Sequence, residues 1–287
     1  MYKRYYDIDV DAKAYANRIV KAGGRIPSDI GSVSDFIKKL KINGLWIDLV
    51  DCWLMRSIHN IGSGTTLYSL KNNLFNATLT NGPTWESSGI NFSSANCGAF
   101  FYNFSNLTLG DGYTISYIPA FLSKTASTAY FGIVGFTNAE ISTAQDGSPV
   151  QSRVYFDATN HNITIDLQEG SAVAAAEIRE FPNMISNNYH MLTFSQQCFG
   201  SYTKLMYRNG LSKTIYTNNS GSPKLNDFRG GTSTTIDRTS AAFKNYGSVF
   251  TGLKNSATFL HKRALTAAEH VIFYNIVKST IGKGVVI

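Results

Sequence analysis

The sequence predicts a mostly β protein, a sandwich of two antiparallel sheets that follows a short helical segment and is closed by a C-terminal helix. Charged residues make up only 16% of the 287 residues, below the roughly 25% of an average soluble domain. Glycine (24), tyrosine (16) and phenylalanine (18) are abundant, as is typical of turns and pleated sheets. From about residue 62, short alternating apolar runs are separated by Gly, Asn, Asp and Ser. Strands at this spacing indicate two packed antiparallel sheets.

The first 55 residues depart from this pattern and predict two helices. Apolar residues in the range 12–20 recur at helical spacing. The spacing repeats in the range 33–40, where Ser32 and Asp35 are placed to form a capping box. Residues 45–55 are apolar on most sides, so we expect them to be buried and to dock the helices onto the sheets.

The β region carries strong local signals and ends in a helix. Asn209-Gly210 predicts the tip of a β-hairpin, because both residues tolerate a positive φ. Residues 190–194 alternate in polarity, which predicts a sheet with one covered face and one wet face. Thr266 and Glu269 form a full capping box at the start of the last helix.

Three segments of the second half carry a recognisable pattern: "NNYHMLTFSQ", "KLMYRNG" and "GLKNSATFLHKRALTAAEHVIFYNI". With them, residues 62 to 278 resemble the concanavalin A-like, or laminin G-type, jelly roll, and "KRALTAAE" is the most specific match. The resemblance implies a jelly-roll sandwich of two antiparallel sheets. It assigns no activity, because this fold serves lectins, hydrolases and inert spacers alike.

A second set of motifs lies in the first half, at residues 9–12, 40–46, 70–72 and 85–89. In this order they resemble the helical lead-in and first strands of certain tailed-bacteriophage virion proteins. Two departures set the chain at a distance within that group: "IDLVDCWLMRSI" replaces the usual motif, and "SLKNN" inverts another. The resemblance implies a virion structural protein whose N-terminal helices attach it to another subunit.

Glycoside hydrolysis requires two carboxyl groups, about 5 Å apart in a retaining mechanism. The Glu-x-Asp-x-x-Glu strand of the glycosidases with the resembled fold is absent here. Glu177 and Glu180 lie three residues apart, but Arg179 between them and the adjoining "SAVAAA" predict a surface loop. The five histidines form no metal-binding pair. We therefore expect that the chain is not an enzyme.

Several residues are nevertheless candidates for binding. Aromatic residues in polar or turn-rich surroundings are candidates for stacking on sugars: Trp85, Tyr113 and Tyr202. No cofactor is expected; calcium is a weaker alternative, and its candidate ligands are Asp111, Asp146 and Asp157. The apolar residues of the helical segment are candidates for an interface with another subunit: Tyr15, Ile19, Phe36, Leu40, Trp46 and Trp53.

Charge and cysteine content restrict the partners. The net charge of +7 is scattered along the chain, whereas a nucleic-acid binder concentrates its basic residues. The sequence has no run of 18 apolar residues, so no membrane span is predicted.

Three cysteines are an odd number without metal-ligand spacing, so we expect buried thiols and no disulfide scaffold. The first residues lack the apolar core of a signal peptide, which predicts folding in a cytoplasm.

Together these observations lead to one expected function and two alternatives. We expect a non-enzymatic phage virion protein, made of a helical anchor segment (residues 1–61) and a β-sandwich (residues 62–287). It would decorate a capsid, fibre or tail, assemble in the host cytoplasm as a homo-oligomer with other virion proteins, and contact host-surface polysaccharide. The first alternative is a carbohydrate-binding lectin module with a specific glycan site. The second is a divergent glycan hydrolase.

Overall fold

The fold is taken from a computed structural model of the chain. It describes the following residues, with the backbone alone along several strands: 7–92, 97–102, 112–121, 128–137, 151–157, 162–168, 176–180, 188–197, 202–218, 240–245 and 253–286. These parts form three α-helices and sixteen β-strands.

The two N-terminal helices form as the sequence predicts, with one difference at a cap. Helix α1 spans Val10–Lys21, and the Asp9 carboxylate caps it by accepting a hydrogen bond from the backbone N–H of Asp11 at 2.9 Å. Helix α2 spans Ile30–Ile42. Its cap is Asp29, whose carboxylate accepts from the Ser32 N–H at 3.2 Å. The predicted box of Ser32 and Asp35 is wrong, because both residues already lie inside the helix.

The strands form two antiparallel sheets of eight strands each. Sheet A contains β1 (Leu49–Leu54), β4 (Thr84–Trp85), β5 (Ile90–Asn91), β7 (Gly112–Phe121), β12 (Leu192–Gln197), β13 (Tyr202–Arg208), β14 (Leu211–Asn218) and β16 (Leu253–His261). Sheet B contains β2 (Thr66–Leu67), β3 (Ala77–Thr80), β6 (Gly98–Tyr102), β8 (Thr128–Thr137), β9 (Gln151–Asp157), β10 (Asn162–Gln168), β11 (Ala176–Glu180) and β15 (Ser240–Asn245). The predicted mostly β class is confirmed, and the architecture is consistent with a β-sandwich. The finer jelly-roll class stays a prediction.

Strand β16 organises sheet A. It pairs with β7 along one edge, and its other edge is shared by β5 at one end and β1 at the other. The apolar segment predicted to dock the helices is therefore a strand, and it pairs with β16 from Leu49–His261 to Leu54–Ala257. A bulge in β1 accommodates Asp51, whose carboxylate accepts hydrogen bonds from the N–H groups of Cys52 and Lys71 at 2.8 and 2.9 Å.

The helices cover one face of sheet A and share its core. The ring of Phe259 on β16 lies 5.8 Å from Phe36 of α2 and 5.1 Å, edge-on, from Phe273 of the C-terminal helix. Residues on alternate positions of β7 contribute to the same core, among them Ile118 and Ala120. Because successive side chains of a strand alternate, the opposite face of β7 carries Tyr113, Ile115 and Tyr117, which are also buried.

This arrangement corrects the predicted subunit interface. Five of the six apolar candidates are buried inside the chain itself, with at most 2% exposed: Tyr15, Ile19, Phe36, Leu40 and Trp53. The sixth, Trp46, is partly buried against the same core, with the ammonium groups of Lys41 and Lys71 at 5.7 and 4.8 Å from its ring centre. The five buried side chains stabilise the chain's own core and are not available to another protein.

The predicted wet face of the sheet is also wrong. Thr193 and Ser195 are 3% and 2% exposed. Their hydroxyls pair with those of Ser116 and Thr114, at 3.0 and 2.7 Å. The Thr114 hydroxyl in turn accepts from the Leu265 N–H at 2.9 Å. Polar residues alternate here because they satisfy one another and the backbone beneath the C-terminal corner, and water is not needed.

The C-terminal corner matches the sequence prediction. Helix α3 spans Ala267–Ser279 and begins with the capping box of Thr266 and Glu269. The Glu269 carboxylate also accepts hydrogen bonds from both terminal guanidinium nitrogens of Arg263, at 2.6 and 2.8 Å. The Arg263 Nε donates to the Asp48 carboxylate at 2.6 Å. One arginine thus ties the start of α3 to the segment before β1.

Two of the cysteines, Cys52 and Cys97, are buried thiols, as expected, and Cys198 lies outside the described residues. In the parts of the chain that the structure describes, no helix is long and apolar enough to span a bilayer.

The shared core predicts that the helical segment and the sheets unfold together. Replacing Phe36 by Ala removes a fully buried ring and should lower the free energy of unfolding by about 3–5 kcal/mol. Urea unfolding followed by both tryptophan fluorescence and circular dichroism should give one coincident, shifted transition. Ile42→Ala, at a side chain that is 82% exposed, is the control. A sandwich that keeps its stability while the helices melt would contradict a common core.

Three buried histidines make the fold sensitive to acid. Burial lowers the pKa of His190 and His270 to about 4 and that of His261 to about 3. Histidine in an unfolded chain titrates near 6.5, so between pH 6.5 and 4 the unfolded chain takes up protons that the folded chain does not. Stability should therefore fall as the pH falls through this window. Burial raises the pKa of Asp51 to about 6, which offsets part of this loss.

His261 allows a direct test. Within the described residues, neither ring nitrogen of His261 has a hydrogen-bond partner, so His261→Leu should lose no hydrogen bond. We expect the variant to unfold with a smaller loss of stability between pH 7 and 5, by up to about 1.4 kcal/mol per pH unit below 6.5. Urea unfolding at both pH values measures this difference, and an unchanged pH dependence would show that His261 does not contribute.

Candidate functional site

The hairpin of β4 and β5 lies at the edge of sheet A. The chain reaches it from sheet B through Asn81-Gly82, both with positive φ (58° and 73°). At the other end of the hairpin, Gly89 lies against β16, where an added Cβ would come within 2.5 Å of the Asn255 carbonyl oxygen. The absence of a side chain at Gly89 therefore lets the hairpin approach β16 closely and fixes its position.

Three polar side chains meet on this hairpin and on β16. We call Glu86, Asn91 and Lys254 the Glu86 cluster. The Asn91 amide donates to Glu86 Oε1 at 3.0 Å, and the Lys254 ammonium forms an ion pair with Glu86 Oε2. The side chains of Glu86 and Lys254 are 32% and 20% exposed. Burial raises the pKa of Glu86, but the hydrogen bonds from Lys254 and Asn91 outweigh it and leave the pKa lowered. The carboxylate is therefore ionised at neutral pH.

Arg56 binds the backbone of the turn that carries Glu86. It follows β1 and is 9% exposed. Its Nε donates to the Ser87 carbonyl at 2.8 Å, and its Nη1 donates to the carbonyls of Ile281 and Lys283 at 2.8 and 3.2 Å. The turn of the hairpin is thus pinned to the turn that follows α3. These three bonds hold the backbone around Glu86 in place.

Trp85 lies on the same hairpin but on its other face. It pairs across the hairpin with Ile90, whereas Asn91 pairs with Thr84 and with Lys254. Because side chains alternate along a strand, the indole faces away from the Glu86 cluster. Trp85 is half-buried and its Nε1 donates to the Gly64 carbonyl at 3.0 Å. The predicted sugar-stacking residue is partly accessible, but it does not share a surface with the three polar groups.

The remaining predicted site residues do not form a site with Trp85. Tyr113 is 2% exposed on β7, which corrects its assignment as a sugar-stacking residue, because a buried ring cannot receive a ligand. Tyr202 lies on the backbone of β13, opposite Asn218, and its side chain lies outside the described residues.

Two of the three predicted calcium ligands lie outside the described residues. Asp111 and Asp146 lie outside the described residues, and Asp157 ends β9, where its backbone pairs with Thr128 and Asn162. Among the residues that are described, no group of three His, Cys, Asp or Glu side chains is placed to hold a metal ion. The calcium ligands therefore stay a prediction.

The Glu86 cluster could be found only in part from the sequence. Glu86 follows Trp85 directly in "GPTWESSG", so the polar character of this segment was visible. Lys254 lies 168 positions further along the chain, and no local pattern marks it. Its role depends on the pairing of β5 with β16, which brings Asn91 opposite Lys254.

Comparison with known proteins gives similar folds but no related sequences. No family model and no curated protein matches the chain. Trypanosoma rangeli sialidase in complex with sialic acid is similar over 83% of this chain and 34% of its own, at 13% identity and a TM-score of 0.55. The receptor-binding domain of botulinum neurotoxin D is similar over 79% of this chain and 52% of its own, at 12% identity and a TM-score of 0.54. The botulinum neurotoxin serotype D ligand-binding domain in complex with N-acetylneuraminic acid is similar over 79% of this chain and 50% of its own, at 11% identity and a TM-score of 0.55.

At such identities the likeness concerns the fold. The chain spans about a third of the sialidase and about half of the toxin chains. By fold it is thus similar to β-rich domains that occur in a sialidase and in a toxin that binds a receptor.

This comparison corrects the expectation that the chain is not an enzyme. The similar structures include sialidases and a sialidase mutant displaying trans-sialidase activity, which are enzymes. One reason for that expectation was the missing Glu-x-Asp-x-x-Glu strand. That motif belongs to one group of glycosidases, so its absence says nothing about enzymes that use other residues.

The ion pair of the Glu86 cluster should matter little for stability. Partly exposed ion pairs contribute about 0–1 kcal/mol, so Glu86→Gln should lower the free energy of unfolding by less than about 1 kcal/mol. Urea unfolding of the variant and the parent protein measures the difference. A much larger loss would mean that the pair is required for folding, and that binding data on this variant report on the fold.

Proposed function

We propose that the chain is a carbohydrate-binding β-sandwich domain and that the Glu86 cluster contacts the sugar. The observation that carries the proposal is the geometry of the cluster. An ionised carboxylate, an ammonium group and an amide lie side by side at the sheet edge, partly exposed and held by backbone contacts. Sugars present hydroxyl groups that both donate and accept hydrogen bonds, and charged partners make the stronger ones.

The fold likeness supports this proposal in general terms. The botulinum ligand-binding domain in the comparison is in complex with N-acetylneuraminic acid, and the Trypanosoma rangeli sialidase is in complex with sialic acid. Both are glycan ligands on proteins of similar fold. We therefore prefer a glycan partner to the virion role, which stays a prediction resting on the sequence resemblance.

Trp85 has a separate place in this proposal. Its indole is partly accessible on the opposite face of the hairpin. A single sugar ring on the Glu86 cluster would not reach it, whereas a longer glycan that passes over the hairpin would stack on it. The two faces can be tested separately by substitution.

Glycan-array binding followed by titration calorimetry tests the function. We expect saturable binding to one class of glycan, weakened roughly tenfold or more by Glu86→Gln and by Lys254→Met, since each removes a charged hydrogen-bonding group. Trp85→Ala should weaken binding only of longer glycans.

The matched control is Asp11→Asn. Asp11 also pairs with a lysine on the surface, Lys41 at 2.7 Å, but it lies in the first turn of α1 and is not part of the hairpin or of β16. Binding by this variant should equal that of the parent protein. No saturable binding to any glycan, or binding that none of the three site variants changes, would contradict the proposal.

A further inference from the structure

The Glu86 cluster also indicates the class of sugar, an inference that rests on the proposed glycan-binding function. We propose that it binds a neutral sugar through two neighbouring hydroxyl groups, and that acidic sugars such as N-acetylneuraminic acid are disfavoured. The hydrogen-bonding capacity and the charge of the cluster both favour such a sugar.

Glu86 supplies the acceptor. Its Oε1 receives one hydrogen bond from Asn91 and its Oε2 receives one from Lys254. Each oxygen of an ionised carboxylate has two lone pairs, so among the described residues each retains one position for a further donor. The carboxylate is 32% exposed, and a sugar hydroxyl can therefore donate its proton to it.

Lys254 supplies the donor. An ammonium group carries three protons, and one of them is directed at Glu86. A hydroxyl oxygen that approaches the exposed side of Lys254 can accept another. Because acceptor and donor are in direct contact, they match a pair of adjacent hydroxyls, one donating to Glu86 and the other accepting from Lys254.

The charge of the cluster opposes an anionic ligand. The single charges of Glu86 and Lys254 cancel within the ion pair. Arg56 is 9% exposed, and its Nε and Nη1 are directed at three backbone carbonyls. The carboxylate of an acidic sugar on Lys254 would lie beside the Glu86 carboxylate, and like charges at such a distance repel each other. A neutral sugar avoids this cost.

One neighbouring cation provides the competing possibility. Lys283 lies on the turn that Arg56 contacts, and its side chain is exposed. An acidic sugar held by Lys283 would bind beside the cluster and would not need Glu86. The experiment must therefore distinguish the two lysines.

The test uses matched glycans on the full chain: lactose and N-acetyllactosamine, each with and without a terminal N-acetylneuraminic acid. We expect binding to the uncapped sugars, at least tenfold weaker binding to the capped ones, and a roughly tenfold loss for the uncapped sugars in Glu86→Gln, which corresponds to about 1.4 kcal/mol. Lys254→Met provides a second variant, and Lys283→Gln should bind like the parent protein.

The outcomes separate this inference from the proposed function. Binding that requires the terminal N-acetylneuraminic acid, survives Glu86→Gln and is lost in Lys283→Gln would overturn the neutral-sugar inference while a glycan-binding function stands. Absence of binding to all matched sugars and to every glycan of a broad array would overturn both.

Discussion

The structure depends on the pairing of β1 with β16. This contact makes the N-terminal segment part of sheet A, since Leu49 to Leu54 run antiparallel to Ala257 to His261. The helices that precede β1 are thereby placed over one face of the sheet, where Phe36 meets Phe259. The same strand β16 carries Lys254 on its other half and pairs there with the hairpin of the candidate site. One strand thus positions both the core and the Glu86 cluster.

The local features of the fold could be predicted from the sequence. The Asn209-Gly210 hairpin and the capping box of Thr266 and Glu269 follow from backbone chemistry within a few residues, and the structure has both. The burial of the helical segment could not be foreseen in the same way. An apolar helix face predicts that something covers it, but the pattern does not say whether the cover is another protein or a strand that lies more than 200 residues further along the chain.

The candidate site illustrates the same limit. The indole of Trp85 was visible as an exposed aromatic in a polar segment, and the structure keeps it half-buried. The three groups that form the Glu86 cluster come from a hairpin turn, the next strand and β16, so only strand pairing unites them. Conversely, Tyr113 looks accessible by composition, yet strand alternation directs it away from solvent. The sequence does not show which side chains lie together here, because that depends on how the strands pair and on the register of each pairing.

The contact between α2 and α3 has a consequence for biosynthesis. Lys39 of α2 donates to the Ser279 hydroxyl of α3 at 2.9 Å, across 240 positions of the chain. During translation, α2 is made well before β16 and α3, which cover its apolar face. Since contacts of such long range form slowly, we expect the apolar face of α2 to stay exposed on the nascent chain until β16 and α3 have been made.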